Sequence, residues 1–300
     1  MTRLPNEVLD HLRDVATRPA LPAGRYVIRR PLGRGGMGAV YAAHDVVLDR
    51  EVAIKVSNAI VPATGLDARL REEAQVLARL EHPGIVPVHD AGVQDDGRMF
   101  YVMKLVRGDT LAAHLPQLAG ESRKLAVFER VAETVAFAHA AGIVHRDLNP
   151  ANVMIGSFGE VLVLDWGVAK IMGSPPATGL RVGTPGFMAP EQESGDTADV
   201  GPRADVFALG ALMGWMFAGE PLSKRLRAIV TKCQAASPSD RYADAAALAS
   251  DLQRYRDGLA VTAYRETWLD RAGRWFNRYR TFILLVLSYL VMRTLFAFWR

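Results

Sequence analysis

Strand-forming and helix-forming pieces are segregated along this 300-residue chain, and that segregation limits the folds open to it. Short strand-like stretches come first, at Tyr26–Arg29, Ala39–Ala43, Val52–Val56, Val86–Asp90 and Met99–Val106. The first two flank a glycine cluster and read as a hairpin. A polar turn at Gln94–Arg98 joins the last two. One helix interrupts the series at Leu66–Leu80, where Leu70, Ala74, Leu77 and Leu80 share a face and His82-Pro83-Gly84 stops the chain. After Gly108 the period becomes helical. Leu125, Phe128, Val131, Val135 and Ala138 line one face of a helix ending near Gly142. A short apolar strand at Val161–Leu164 and a Gly/Pro/Ser/Thr-rich segment from Gly167 to Gly186 precede helices at Asp205–Ala218, Leu226–Cys233 and Ala243–Tyr255. Strands first, helices later, with a loop-rich junction, predicts an α+β fold in two lobes. The length suits such a molecule with a cleft between the lobes.

Chemistry-bearing residues fall at the joints of this pattern. Gly33-Arg34-Gly35-Gly36-Met37-Gly38-Ala39-Val40 lies between two strands, where missing side chains let backbone N–H groups approach a triphosphate. A dinucleotide-binding glycine run would open a helix instead, and a Walker A loop would need Gly-Lys-Ser/Thr, which is absent. Val52-Ala53-Ile54-Lys55 ends a strand on a lysine 22 residues past Gly33. That lysine needs a carboxylate from the next helix. Helical phase favours Glu73, with Glu72 as the competitor. His145-Arg146-Asp147-Leu148-Asn149-Pro150-Ala151-Asn152 sets an acid five residues before an amide, and Asp165-Trp166-Gly167 follows an apolar strand. Carboxylate and amide oxygens at Asp165 and Asn152 suit Mg²⁺. Met188-Ala189-Pro190-Glu191 comes later, and Arg241 is a plausible buried partner for Glu191.

In this order the motifs resemble the eukaryotic-type serine/threonine protein kinases of bacteria, over about Arg25 to Gly258. Leu32–Gly38, His82-Pro83-Gly84-Ile85-Val86 and Gly183–Gln192 look especially like that group. The resemblance implies a small β-rich lobe, a larger helical lobe, and phosphoryl transfer from ATP, with Mg²⁺, to a Ser or Thr hydroxyl of a protein substrate. It implies Asp147 as base, Lys55 held by Glu73, and Asn152 and Asp165 as metal ligands. ATP contacts are implied at Leu32 to Val40, Ala53, Lys55, Met103 as gatekeeper, the hinge Lys104-Leu105-Val106, and Met154. Leu77, His145 and Trp166 resemble the apolar column that aligns the lobes. Arg146 is the residue that binds a phosphorylated activation loop in such kinases. Ser174, Thr178 and Thr184 are the candidate sites, and self-association for autophosphorylation at Thr178 or Thr184 follows. Thr184 is also the family's substrate-positioning threonine.

Two departures matter. Asn149 stands where these kinases carry a lysine that neutralises the γ-phosphate. Its loss should cost about 2–4 kcal/mol of transition-state stabilisation, by analogy with single oxyanion donors. The C-terminal lobe also looks shortened after Ala218: only Gly219–Arg225 separates two helices where the family has a longer stretch that docks substrates. An ATP-binding pseudokinase acting as a membrane-recruited scaffold is the competing reading.

The net charge of +4 is unevenly placed. Nine arginines face three acids over residues 254–300, so the rest of the chain is slightly acidic and nucleic acid is not an expected partner. Residues 259–280 read as a basic juxtamembrane segment and 281–299 as a single membrane span, interrupted by Arg293. The basic flank places the kinase domain, residues 24–258, on the cytoplasmic face. Residues 1–23 read as a tail without a signal-peptide core. Cys233, the only cysteine, excludes an internal disulfide and reads as a small core residue.

Overall fold

The structure, a computed structural model, describes residues 24–34, 38–57, 74–94, 96–166, 169–172, 183–194 and 200–299. Its smaller lobe is a five-stranded antiparallel sheet of β1 (Tyr26–Arg34), β2 (Gly38–Asp45), β3 (Arg50–Ser57), β4 (Val88–Val93) and β5 (Met99–Lys104), in the order β1-β2-β3-β5-β4. Strand alternation divides this sheet by chemistry. Tyr41, Val52, Ile54, Val56, Phe100 and Val102 share one face and form the small lobe's own core with Tyr26. Lys55, Tyr101 and Met103 come from the other face, and Met99 and Tyr101 join the main core of the large lobe. The sheet therefore turns Lys55 toward the junction of the lobes.

Helix α1 (residues 74–79) leads to Ile85, which bridges Val163 in parallel and couples the lobes, with Val163 N–H donating to Gly84 O at 2.8 Å. The large lobe opens with β6 (Gly108–Thr110), α2 (Leu111–His114) and α3 (Glu121–Ala140). Then come β7 (Ile143–Val144), β8 (Val153–Gly156), β9 (Val161–Val163) and β10 (Lys170–Ile171). β6, β8 and β9 make one small sheet, and β7 pairs with β10. The helices α4 (Pro190–Glu193), α5 (Pro202–Met216), α6 (Lys224–Cys233) and α7 (Ala245–Arg256) complete the lobe. The α+β expectation holds, with sheet in the small lobe and helices in the large one.

Close contacts join the helices on either side of the segment after Ala218. Gly210 on α5 lies so near α6 that a Cβ there would sit 2.4 Å from Cys233 Cβ, so only glycine fits. Cys233 is buried, and desolvation pushes its thiol pKa up, which suits a core residue. Lys124 on α3 is only 6% exposed. Its Nζ donates to Met216 O at the end of α5 (2.7 Å) and to Glu220 (2.6 Å). One cation thus caps an orphan helix carbonyl and fixes the turn after α5.

One helix, α8 (Trp268–Phe298), runs through both the basic segment and the apolar run. Thr267 caps it, accepting from Asp270 N–H while the Asp270 carboxylate accepts from Thr267 N–H. Among the described residues no helix is long and apolar enough to cross a membrane; the side chains of 296–298, at the end of the expected span, lie outside them.

Candidate active site

The loop between β7 and β8 carries the reactive groups, and a buried carboxylate shapes it. Asp205 on α5 is wholly buried and accepts the backbone N–H groups of His145 and Arg146, each at 2.8 Å. Its second oxygen also meets His139 Nε2 at 2.8 Å, and His139 Nδ1 accepts from Ala245 N–H at 3.2 Å. Burial by itself would raise the Asp205 pKa. The hydrogen bond and charge of His139 with the backbone donors outweigh it and hold the carboxyl below its usual range. Arg146, in the left-handed region at φ 69°, bends the chain so that Asp147 leaves this knot pointing outward.

Asp147 is the centre of a hydrogen-bonded cluster. Its Oδ1 accepts from Thr184 Oγ1 (2.7 Å) and Asn149 Nδ2 (3.1 Å), and its Oδ2 from Asn152 Nδ2 (3.2 Å). Asn149 is buried and does two jobs. Its nitrogen also reaches Thr184 Oγ1 at 2.9 Å, while its oxygen accepts the N–H groups of Ala151 and Asn152 at 2.9 and 3.2 Å. A lysine could supply the first contact and could not supply the second, because it has no acceptor. The residue that removes a charge also rigidifies the loop.

The second half of the site lies alongside. Leu164 N–H donates to Asn152 O (2.8 Å), which holds the segment before Asp165 against the end of the catalytic loop. Asp165, at φ 57° and half exposed, meets Lys55 Nζ at 3.2 Å. Lys55 is 10% exposed by side chain, and its ammonium lies 6.0 Å from the centre of the Tyr101 ring. His145 and Trp166 pack at 4.6 Å between ring centres, both buried, and Leu77 and Trp166 belong to one core cluster. The tryptophan in place of phenylalanine is accommodated because its indole N–H donates to Val163 O at 3.2 Å. Glu191 and Arg241 pair bidentately at 2.7 and 2.9 Å, with the guanidinium also donating to three backbone carbonyls. Gln192 ties the same segment to the catalytic loop through Arg146 O at 2.8 Å, a contact the sequence did not signal.

The positions expected to bind nucleotide are distributed over the strands as follows, where they are described. Gly33 ends β1 with open space around it, and Gly38 lies so close to β3 that a Cβ would meet Val56 O at 2.2 Å. Leu32, Arg34, Ala39, Val40, Ala53, Met103 and Lys104 stand on β1, β2, β3 and β5, Leu105 and Val106 follow β5, and Met154 is on β8. Gly35, Gly36, Met37, Glu73, Ser174 and Thr178 lie outside the described residues. The donor set fits Mg²⁺ with a nucleotide. Two oxygen-bearing side chains are enough when phosphates and water complete the shell, and the Asn152 nitrogen is already committed to Asp147, leaving its oxygen for a cation.

The profile of the protein kinase domain matches residues 26–251. The chain is 34% identical over 280 residues to the serine/threonine-protein kinase PknB of Mycobacterium tuberculosis, covering 81% of this chain and 44% of that one. It is 31% identical over 312 residues to PknD of Chlamydia caviae, covering 81% of this chain and 33% of that one. The chain thus spans less than half the length of these curated relatives. The crystal structure of the M. tuberculosis PknI kinase domain superposes with a TM-score of 0.62 at 29% identity, over 81% of this chain and 99% of that one. The chain belongs to the protein kinase family.

Proposed function

We propose that the chain is an ATP-dependent serine/threonine protein kinase whose base is Asp147. The observation that carries this reading is the cluster of Asp147, Asn149, Asn152 and Thr184, joined through Leu164 to the Lys55–Asp165 pair. Bound ATP with Mg²⁺ supplies the γ-phosphoryl group and neutralises charge on it. Asn152 and Asp165 would hold the metal, and Lys55 the nucleotide's phosphates. Asp147 orients the acceptor hydroxyl and takes its proton, using a lone pair left after its three present donors. Thr184 and Asn149 keep that carboxylate from rotating.

The neutral amide at 149 makes the proposed enzyme slow. It also favours the second reading, an ATP-binding pseudokinase, because the positive charge expected beside the transferred group is missing. Labelled ATP and Mg²⁺ with the purified chain decide between them. Phosphorylation in the parent, its loss in Asp147→Asn and a gain of roughly 30- to 1000-fold in Asn149→Lys support the enzyme. Thermal stabilisation by ATP with no transfer in the parent points to the pseudokinase.

The proposal extends to a tether at the cytoplasmic face of a membrane through residues 281–299. Support comes from α8, whose described side chains from Phe282 to Leu295 are exposed apart from Ile283, so a largely apolar stretch of helix meets no protein surface among the described residues. Resistance to carbonate extraction is the expected result; release into the soluble fraction removes the tether.

A further inference from the structure

We propose that the first turns of α8 form a basic and aromatic stripe that binds the anionic phosphodiester headgroups of a phospholipid bilayer, an inference that rests on the membrane-tether reading. At about 100° per residue, Trp268, Arg271, Arg274, Trp275, Arg278 and Tyr279 fall within one arc of roughly 140°. Position 280 falls on the opposite side of the helix by the same geometry. Trp268 and Trp275 are 75% and 61% exposed, and Trp275 packs its ring 5.3 Å from that of Tyr279. Large aromatic rings beside guanidinium groups are the pairing that an interfacial helix presents to lipid headgroups.

Arginines outnumber acids on α8. Asp270 is the single acidic residue of α8, and it lies outside the arc. Its carboxylate accepts from Thr267 N–H (3.0 Å), Thr267 Oγ1 (2.7 Å) and Tyr264 Oη (3.0 Å), which hold its pKa below the usual range. Height along the helix points to a bilayer rather than to an acidic protein. Arg271 to Arg278 lie roughly 5–15 Å before the apolar run that begins at Phe282. That places them in the headgroup layer or within about a Debye length of it.

The stripe is also fastened to the large lobe. Asp251 on α7, 1% exposed, accepts from Tyr242 Oη (2.7 Å), Thr262 N–H (2.6 Å), Thr262 Oγ1 (2.8 Å) and Ala263 N–H (3.0 Å). Val261 is buried beside it, and Tyr264 then grips Asp270. Headgroup binding at the stripe would therefore fix the pose of the catalytic lobe on the membrane.

The test uses the full chain in vesicles carrying trace spin-labelled phosphatidylglycerol or spin-labelled phosphatidylcholine. The parent should select the anionic lipid, by up to roughly fivefold for each arginine engaged. Selectivity should fall toward unity in the triple variant Arg271→Gln, Arg274→Gln, Arg278→Gln and in about 0.5 M salt. Arg280→Gln should keep it, and unchanged circular dichroism should show that both variants fold. Equal association of the two lipids with a carbonate-resistant parent overturns the stripe and leaves the tether standing. A loss in Arg280→Gln as large as in the triple variant also overturns it. Should carbonate release the chain, sedimentation with anionic but not neutral vesicles supports the stripe without the span, and sedimentation with neither ends both.

Discussion

Two pairs of aspartates divide the labour of this molecule. Asp205 and Asp251 are sealed from solvent and each accepts from backbone N–H groups of another segment, together with a histidine in one case and tyrosine and threonine hydroxyls in the other. Asp147 and Asp165 are partly open, and each shares its carboxylate with groups that chemistry would need. A sealed carboxylate with all its donors in place fixes backbone. An open one in a bent or left-handed segment keeps capacity for a substrate. The same side chain thus serves as architecture or as reagent according to who supplies the donors.

Asp205→Ala should break the comparison most severely. It leaves two backbone N–H groups and His139 without their acceptor inside the lobe. The expected loss is about 3–5 kcal/mol of stability, a large share of what a domain of this kind possesses. Urea unfolding of the variant measures it. A midpoint unchanged from the parent would show that the loop holds its shape without the carboxylate.

Asp147→Asn tests the other pair. The amide keeps the volume and loses the proton acceptor. Phosphoryl transfer should fall by roughly 10²- to 10⁴-fold while the urea midpoint stays within the error of the parent. A stability loss comparable to that of Asp205→Ala would place Asp147 among the architectural acids.

Asp251→Asn should be milder than Asp205→Ala. The amide oxygen still accepts, so the loss is that of charge-assisted bonding to Tyr242 and Thr262, about 1–3 kcal/mol. Catalysis should be nearly untouched in solution, because the hydrogen bonds of Asp251 run to Tyr242, Thr262 and Ala263 and to none of the reactive groups. Tyr242→Phe offers a cross-check, removing one donor and no acceptor.

The reagent pair was legible in the sequence and the architectural pair was not, for a physical reason. Lys55, Asp147, Asn152 and Asp165 sit in short motifs because the chemistry fixes their spacing along one or two segments. Glu191 and Arg241 were also legible, since a buried charge demands a partner of the opposite sign. Asp205 serves N–H groups about 60 residues upstream, and backbone donors leave no residue signature. Lys124 and Asp251 carry no motif, and their burial depends on chain returning from Met216 and Thr262. The boundary expected at residue 280 follows a change in side-chain chemistry from basic to apolar, and the helical backbone runs through it. The Thr267–Asp270 cap marks the true start of α8. Strand ends drifted for a similar reason: Val86–Asp90 becomes β4 at Val88–Val93, because pairing with β5 decides its limits.

Acid titration of stability sharpens the division between the two kinds of group, with the smallest expected effects. His82 packs on Phe137 at 4.9 Å, and burial lowers its pKa from 6.5 in the folded state. The unfolded chain then binds more protons, so stability declines as pH falls below about 6.5 and this contribution levels off below the folded value. Asp205 and Asp251 behave differently. Their folded values lie below the ordinary 3.8, so their stabilisation is complete above that pH and is lost only as pH falls through the folded values. The urea midpoint should therefore show a shallow decline from pH 6.5 toward 4 and a steeper one below. Asp205→Asn and Asp251→Asn should each flatten the lower limb and leave the upper limb parallel to the parent. A flattening confined to the region above pH 5 would mean that the sealed carboxylates are not the groups that fail first in acid.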